Sequence, residues 1–267
     1  IKEDENLYPN LEYSPVAQRT ELAVQSIQRV QEQRGNKGLV FAPHITGAPH
    51  EILETVNAVL DAGATGVMFS ESFSGGTVRM VREATKDRAQ PPAIYGHNAG
   101  IGVRTWCIWR EVIDLLARLD GIDFRQTAPV RSGEPYIRPF GGEWEASEKI
   151  LTCPLPGDIQ PTMIARAGAL DQGNIIANLL DAKKRELSPY ILFLAGSAIN
   201  SIKNSQGQSD PGYGAQAMMQ AIDVFYSGEL TDVSMEQHVV TLAKIAADRQ
   251  LTPLRDALRQ RYPNLDT

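Results

Sequence analysis

An α/β chain of repeated strand–helix units, closed into a parallel sheet or barrel, is what this sequence predicts, and three observations carry that expectation. Short β-rich apolar runs alternate with helical patterns without a break from residue 16 to residue 228. Most of the runs end in a turn containing Gly, Ser or Thr, as where a strand passes into a crossover helix. The length of 267 residues and the 42% hydrophobic content suffice for one large buried core.

Taken in order, the apolar runs place strands at 38–44, 66–71, 91–96, 120–126, 161–166 and 190–195. Helical spacing of apolar residues places helices at 16–34, 48–62, 76–85, 103–118, 169–184 and 213–227, and two more amphipathic segments at 234–248 and 252–261. Residues 1–230 read as the catalytic (β/α) region, and 231–267 as a carboxyl-terminal helical extension of the same domain. The longest irregular stretch, 127–160, is rich in Gly, Pro and charge; it contains Arg131, Arg138 and the pair Gly141-Gly142, and is expected to form a mobile lid.

A formal charge of −6, with no basic face, argues against nucleic acid as a partner. No apolar run approaches the roughly 18–20 residues that span a bilayer, so a soluble, cytoplasmic protein is expected. The two cysteines, Cys107 and Cys153, have no neighbouring cysteine and are expected to be free thiols.

The most telling string is Lys2-Glu3-Asp4-Glu5. An ammonium is a poor magnesium ligand, but a lysine amine that captures CO2 becomes a carbamate with anionic oxygens. Carbamylated Lys2, Asp4 and Glu5 would fill half of an octahedral Mg2+ shell and leave the rest for substrate. In a βα fold such groups gather at the carboxyl ends of strands, where Lys2, His97 and Gln126 also fall.

This string resembles the Lys-x-Asp-Glu metal motif of the RuBisCO large-chain superfamily, and later segments match that family in order. These are Lys37-Gly38 through Thr46-Gly47, Gly66-Val67-Met68-Phe69 through Phe73-Ser74-Gly75-Gly76, and Ala93-Ile94-Tyr95-Gly96-His97. Arg118 to Asp123, Ile164 to Gly168, Ile191 to Ser197 and Gly214-Ala215 follow. The resemblance implies a TIM (β/α)8 barrel, here lacking the first strand and an amino-terminal α+β domain that would precede Ile1. It also implies Mg2+ and CO2, as a carbamate on Lys2, for cofactors, a phosphorylated small molecule for substrate, and a homodimer or higher homo-oligomer for assembly.

The same resemblance assigns Lys2, His97 and Gln126 to catalysis and Lys2, Asp4 and Glu5 to the metal. One substrate phosphate would be held by Arg166-Ala167-Gly168 and by Ala195-Gly196-Ser197, whose small-residue turn can expose backbone N–H groups. Further substrate contacts are expected from Asn98, Arg131 and Arg138. Ser74-Gly75-Gly76 reads as a helix-entry turn, and His44 has no task assigned by the match.

The departures set the expected reaction. Asn98 stands where the family's carboxylases have Arg, Gln126 where they have His, and Arg166 where they have Ser, and no lid lysine lies near Gly133. Carboxylation of ribulose bisphosphate is therefore disfavoured, and the chain looks like a RuBisCO-like (form IV) protein. The expected chemistry is enolate formation from a singly phosphorylated sugar or sugar acid. Decarboxylation of a 3-oxo sugar-acid phosphate is placed ahead of isomerisation or enolisation of a ketose or diketo phosphate, and of a non-catalytic scaffold role.

Overall fold

The computed structural model describes all residues except 10, 36–37, 71–75, 132–133, 136–142, 231–232, 235–236 and 266–267. In chain order the elements are α1 (Val16–Gln33), α2 (Ile52–Asp61), β1 (Gly66–Ser70), α3 (Thr77–Thr85), β2 (Ala93–His97), α4 (Ile101–Arg104), α5 (Arg110–Leu119) and β3 (Phe124–Thr127). There follow β4 (Val130–Arg131), β5 (Glu134–Pro135), α6 (Glu143–Thr152), β6 (Met163–Ala167), α7 (Ile175–Lys184), β7 (Ile191–Leu194), α8 (Ser197–Asn200), α9 (Pro211–Tyr226), α10 (His238–Asp248) and α11 (Thr252–Arg261). The α/β class with parallel strands is as expected; the described strands do not by themselves close a barrel.

The chain divides into two compact units, Ile1–Thr127 with Glu143–Ile164, and Ala128–Gly142 with Ala165–Thr267. In the first unit β1, β2 and β3 run parallel, with Gly66 opposite Ala93, Ser70 opposite His97, and Tyr95 opposite Phe124. All five residues of β1 are buried, the mark of a strand covered on both faces. Val67 and Phe69 pack with Ile45, Ile52, Val56, Val59, Val78, Val81 and Ile94. Each such aliphatic side chain, fully removed from water, contributes about 1.5–3 kcal/mol to holding strands and helices together.

The second unit has its own core, in which Ile175, Ile176 and Leu179 of α7 meet Ala221, Val224 and Phe225 of α9. Leu242 and Ala246 of α10 and Leu254 and Leu258 of α11 join the same cluster. Asp210 caps α9 by accepting from the Tyr213 N–H at 3.0 Å, and Pro211 opens that helix where its missing N–H costs nothing.

Four sequence expectations change. Residues 38–44 form no regular strand. The backbone follows β1, with Gly66 and Met68 donating to the Phe41 and Pro43 carbonyls at 2.9 and 2.8 Å, but Pro43 has no N–H to continue the ladder. Instead of one helix at 103–118 there are α4 and, after a turn that carries an exposed Cys107, α5 starting at Arg110. The helix expected from 169 begins at Ile175, because Ala169 is left-handed (φ 54°) and the Asp171 carboxylate accepts from the Gly173 and Asn174 N–H groups. The expected lid, 127–160, contains helix α6, with Ser147, Glu148 and Leu151 buried. Gly133, Arg138 and Gly141-Gly142 lie outside the described residues, as do Lys37, Phe73, Ser74 and Gly75.

Candidate functional site

The first three residues are pinned along the segment 40–44. Lys2 bridges Ala42 in parallel, the Glu3 N–H donates to the Ala42 carbonyl at 3.0 Å, and the Ala42 N–H donates to the Ile1 carbonyl at 2.9 Å. The chain then turns, the Leu7 N–H donating to the Asp4 carbonyl at 3.1 Å. That turn carries Lys2 and Glu5 to the carboxyl end of β2.

There Glu5 Oε2 lies between two nitrogens, 3.1 Å from Lys2 Nζ and 3.2 Å from His97 Nε2. The other imidazole nitrogen, Nδ1, accepts from the Ala99 N–H at 2.9 Å. An N–H can only donate, so Nδ1 carries no proton and the ring's one proton sits on Nε2, directed at Glu5. Burial, followed by the nearby Lys2 ammonium, lowers the His97 pKa from 6.5 to about 4 despite the opposing pull of Glu5. His97 is thus a neutral donor whose lone pair is already engaged, which suits hydrogen bonding better than taking up a proton. Burial alone would raise the Glu5 carboxyl, yet its backbone N–H, His97 and Lys2 together hold it below the usual glutamate range.

Asp4 faces solvent, and its Oδ1 accepts from both the backbone N–H and the side-chain amide of Asn6, at 2.9 and 2.8 Å. Those bonds, the backbone one first, lower its pKa. Among the described residues its other oxygen makes no such bond. Among the described residues no three His, Cys, Asp or Glu side chains form a metal-holding group as they stand. The donor set therefore depends on Lys2: as a carbamate beside Glu5, with Asp4 two residues away, it would supply the third anionic group that Mg2+ needs. In that state the chemistry of Lys2, Asp4 and Glu5 would suit the ion.

A buried polar network backs the ends of β2 and β3. Asp114, with no exposed surface, accepts from Arg110 Nε at 2.7 Å, from Arg125 Nε at 2.6 Å and from the Ser147 hydroxyl. Burial would raise the Asp114 carboxyl, but Arg110 and Arg125 outweigh it and hold it below the ordinary aspartate range. Arg110 Nη2 then donates to Asn98 Oδ1 and to the Gln126 carbonyl, each at 2.9 Å. Gln126 is buried, its Oε1 accepting from the Tyr95 hydroxyl at 2.9 Å. Gly96, next to His97 on β2, is closely packed: a Cβ there would come within 2.7 Å of Ile122 Cδ1 and 3.0 Å of Arg125 Nη1, so those side chains would have to shift.

His97, Asn98 and Gln126 thus lie at adjoining strand ends, while Lys2 and Glu5 reach His97. His44 is fully buried, with Nε2 3.0 Å from Ser70 Oγ and its ring edge-on to Tyr8 at 5.3 Å. Arg110 and Asp114 escaped the sequence reading because nothing local distinguishes them from the surface charges expected on a helix.

In the second unit the Arg166 expectation is corrected. Its side chain is fully buried, donates to the Asn178 carbonyl and Oδ1 at 3.4 Å, and is paired with Asp181 of α7. That guanidinium braces β6 against α7 and is not offered to a phosphate. Ala167 is buried, and Gly168 takes a left-handed turn (φ 103°). Gly196 and Ser197 are exposed where β7 enters α8, the Ser197 carbonyl accepting from Arg261 at 3.0 Å. The backbone of Arg131 lies in the β4–β5 hairpin; its side chain and all of Arg138 fall outside what is described.

No family model matches the sequence. An uncharacterized ribulose bisphosphate carboxylase-like protein of Bordetella bronchiseptica is 29% identical over 180 residues, 64% of this chain and 37% of that one. Among solved structures, the octameric ribulose-1,5-bisphosphate carboxylase/oxygenase of Pyrococcus horikoshii matches with a TM-score of 0.77 at 21% identity, over 98% of this chain and 56% of its own. A rubisco-like protein of Burkholderia fungorum matches with a TM-score of 0.72 at 21% identity, over 97% and 57%. A rubisco-like protein (MtnW) of Alicyclobacillus acidocaldarius gives 0.71 at 20% identity, over 97% and 59%. The chain thus spans little more than half of each of these solved relatives, and at these identities the structural matches speak for the fold.

Proposed function

We propose, from the premise that this chain is related to the RuBisCO large-chain superfamily, that it is part of an Mg2+-dependent enzyme that forms an enolate from a phosphorylated sugar or sugar acid. The observation that carries this reading is the meeting of Lys2, Glu5 and a neutral His97 at the carboxyl end of β2. Mg2+ held by carbamylated Lys2, Asp4 and Glu5 would act as a Lewis acid toward the oxygen on which enolate charge develops.

The chain's own residues account for the remaining requirements. His97, neutral near pH 7, directs its one N–H at Glu5 and so steadies a proposed ligand without changing protonation. Asn98, its oxygen occupied by Arg110, offers an amide N–H to a substrate oxygen. Tyr95 and Arg110 fix Gln126 at the neighbouring strand end. Since the lone pair of His97 is engaged, the proton leaving carbon goes to another group. Ala195, Gly196 and Ser197, with the backbone of Ala167 and Gly168, remain the proposed phosphate contacts.

Decarboxylation of a 3-oxo sugar-acid phosphate is the outcome favoured by sequence, through Arg131 and Arg138 as bidentate partners of a substrate carboxylate. The deciding experiment incubates the complete protein with Mg2+ and bicarbonate in D2O, with a panel of phosphorylated ketoses and keto acids, followed by NMR. Deuterium uptake with CO2 release establishes decarboxylation, and uptake alone an isomerase or enolase. Lys2→Ala is expected to abolish both turnover and Mg2+ dependence; Mg2+-dependent turnover surviving that substitution would sink the carbamate model.

A further inference from the structure

We propose that Arg19, on the first turns of α1, is the positioning residue of the Lys2–Glu5 turn, acting through Glu3. This rests on the proposed metal-dependent reading and names residues to which that reading gives no part. Glu3 stands inside the motif, between Lys2 and Asp4, yet both of its oxygens are engaged elsewhere. Oε1 accepts from Arg19 Nε at 2.7 Å, and Oε2 from Arg19 Nη2 at 3.2 Å and from the His44 N–H at 2.9 Å. The same guanidinium donates to the carbonyls of Leu7 at 2.9 Å, Tyr8 at 3.3 Å and Ser14.

Arg19 and Glu3 keep only 11% and 9% of their side-chain surface exposed. One planar fork therefore ties the residue between two proposed ligands to the chain leaving the turn and to the start of α1. Two consequences follow from the chemistry. Adjacent residues of an extended segment point to opposite faces, so a Glu3 side chain anchored toward α1 directs Lys2 and Asp4 the other way. An unanchored Glu3 would also be a fourth anionic group beside the Lys2 carbamate, Asp4 and Glu5, competing for the Lys2 amine or for the cation; Arg19 withdraws it. A lysine at 19 has the charge but not the fork, and cannot meet Glu3 and three carbonyls together.

The test measures Mn2+ binding to the complete protein by electron paramagnetic resonance, with 13C-labelled bicarbonate and the carbamate carbon followed by NMR. Wild type, Arg19→Gln, Arg19→Lys and Glu3→Gln are compared, each well below its own Tm. Residues that hold a ligand in place typically change metal affinity about 10–100-fold when removed. Arg19→Gln is expected to weaken Mn2+ by about tenfold or more and to diminish the carbamate signal, with smaller losses for Arg19→Lys and Glu3→Gln. A purely structural role would lower Tm and leave the affinity of the folded protein unchanged. Wild-type affinity in Arg19→Gln, or in Glu3→Gln should the first not fold, overturns the inference. Wild type that binds no Mn2+ with bicarbonate overturns the metal-dependent reading itself, and this inference with it.

Discussion

Glu5 Oε2 accepts from His97 Nε2 at 3.2 Å while the opposite ring nitrogen is held by the Ala99 N–H, so one carboxylate and one backbone amide fix both the tautomer and the tilt of the imidazole. A glutamine amide reaches about as far as Nε2 and can donate in the same direction. His97→Gln is therefore expected to keep Mn2+ affinity within a few-fold, whereas His97→Leu, which leaves Glu5 without that donor, weakens it by about tenfold, of the order found for groups that orient ligands. Titration of the two variants alongside wild type checks this. Equal affinity in all three would show that His97 does not steady Glu5.

Asp114 sets an acid limit on stability. Its carboxyl is held below the ordinary aspartate range in the folded chain, so the unfolded chain binds the proton more readily. Stability from Asp114 is then fully present above the unfolded pKa of about 3.9 and is lost as pH falls through the still lower folded value. Asp114→Asn leaves Arg110 and Arg125 without their shared carboxylate and is expected to cost about 3–5 kcal/mol at neutral pH. Denaturant melts of both proteins from pH 7 to pH 3 should show the difference shrinking at the acid end. A difference that stayed constant to pH 3 would contradict the depressed carboxyl.

How much of this was legible from sequence depends on where each residue finds its partner. β1, β2 and β6 stood out as short apolar runs, and α9, α10 and α11 as periodic apolar stripes, because their signal is local. α6 did not, since its buried face is partly polar: Ser147 reaches Asp114, and Glu148 accepts from the Thr127 hydroxyl at 3.0 Å. Apolar periodicity cannot report such a face. His97 was legible as a strand-end residue, and it closes β2. Arg166 was misread because its partner Asp181 lies fifteen positions away on α7, and Arg19 was invisible because its bonds to Glu3, Leu7 and Tyr8 exist only once α1 has folded back.

Core packing behind the site gives a third prediction. Gly96 precedes His97 on β2, and a Cβ at 96 would meet Ile122 Cδ1 at 2.7 Å and Arg125 Nη1 at 3.0 Å. Arg125 is fully buried and held by Asp114, so it has little room to withdraw. Gly96→Ala is expected to destabilise the protein by about 1–3 kcal/mol, the usual cost of overpacking, and to displace His97 from Glu5. A fall in Tm together with weaker Mn2+ binding is the expected pair of readings; an unchanged Tm would mean that β2 and β3 yield more easily than the contacts indicate.

Asn98 and Arg110 give the fourth. Arg110 can only donate, so the Asn98 atom 2.9 Å from its Nη2 is the amide oxygen, and the NH2 group points away. That Nδ2 is buried and has no partner among the described residues. A buried donor left unpaired costs about 1–3 kcal/mol, a cost that a substrate oxygen would relieve on binding. Asn98→Asp keeps the acceptor for Arg110, now charge-assisted, and turns the donor into an acceptor. Its Tm is expected to stay close to that of wild type, while the KM for an anionic substrate identified in the D2O panel rises by about tenfold or more, equivalent to about 1.4 kcal/mol. An unchanged KM with an unchanged Tm would mean that substrate never reaches Nδ2, and that Asn98 serves only to hold Arg110 across the ends of β2 and β3.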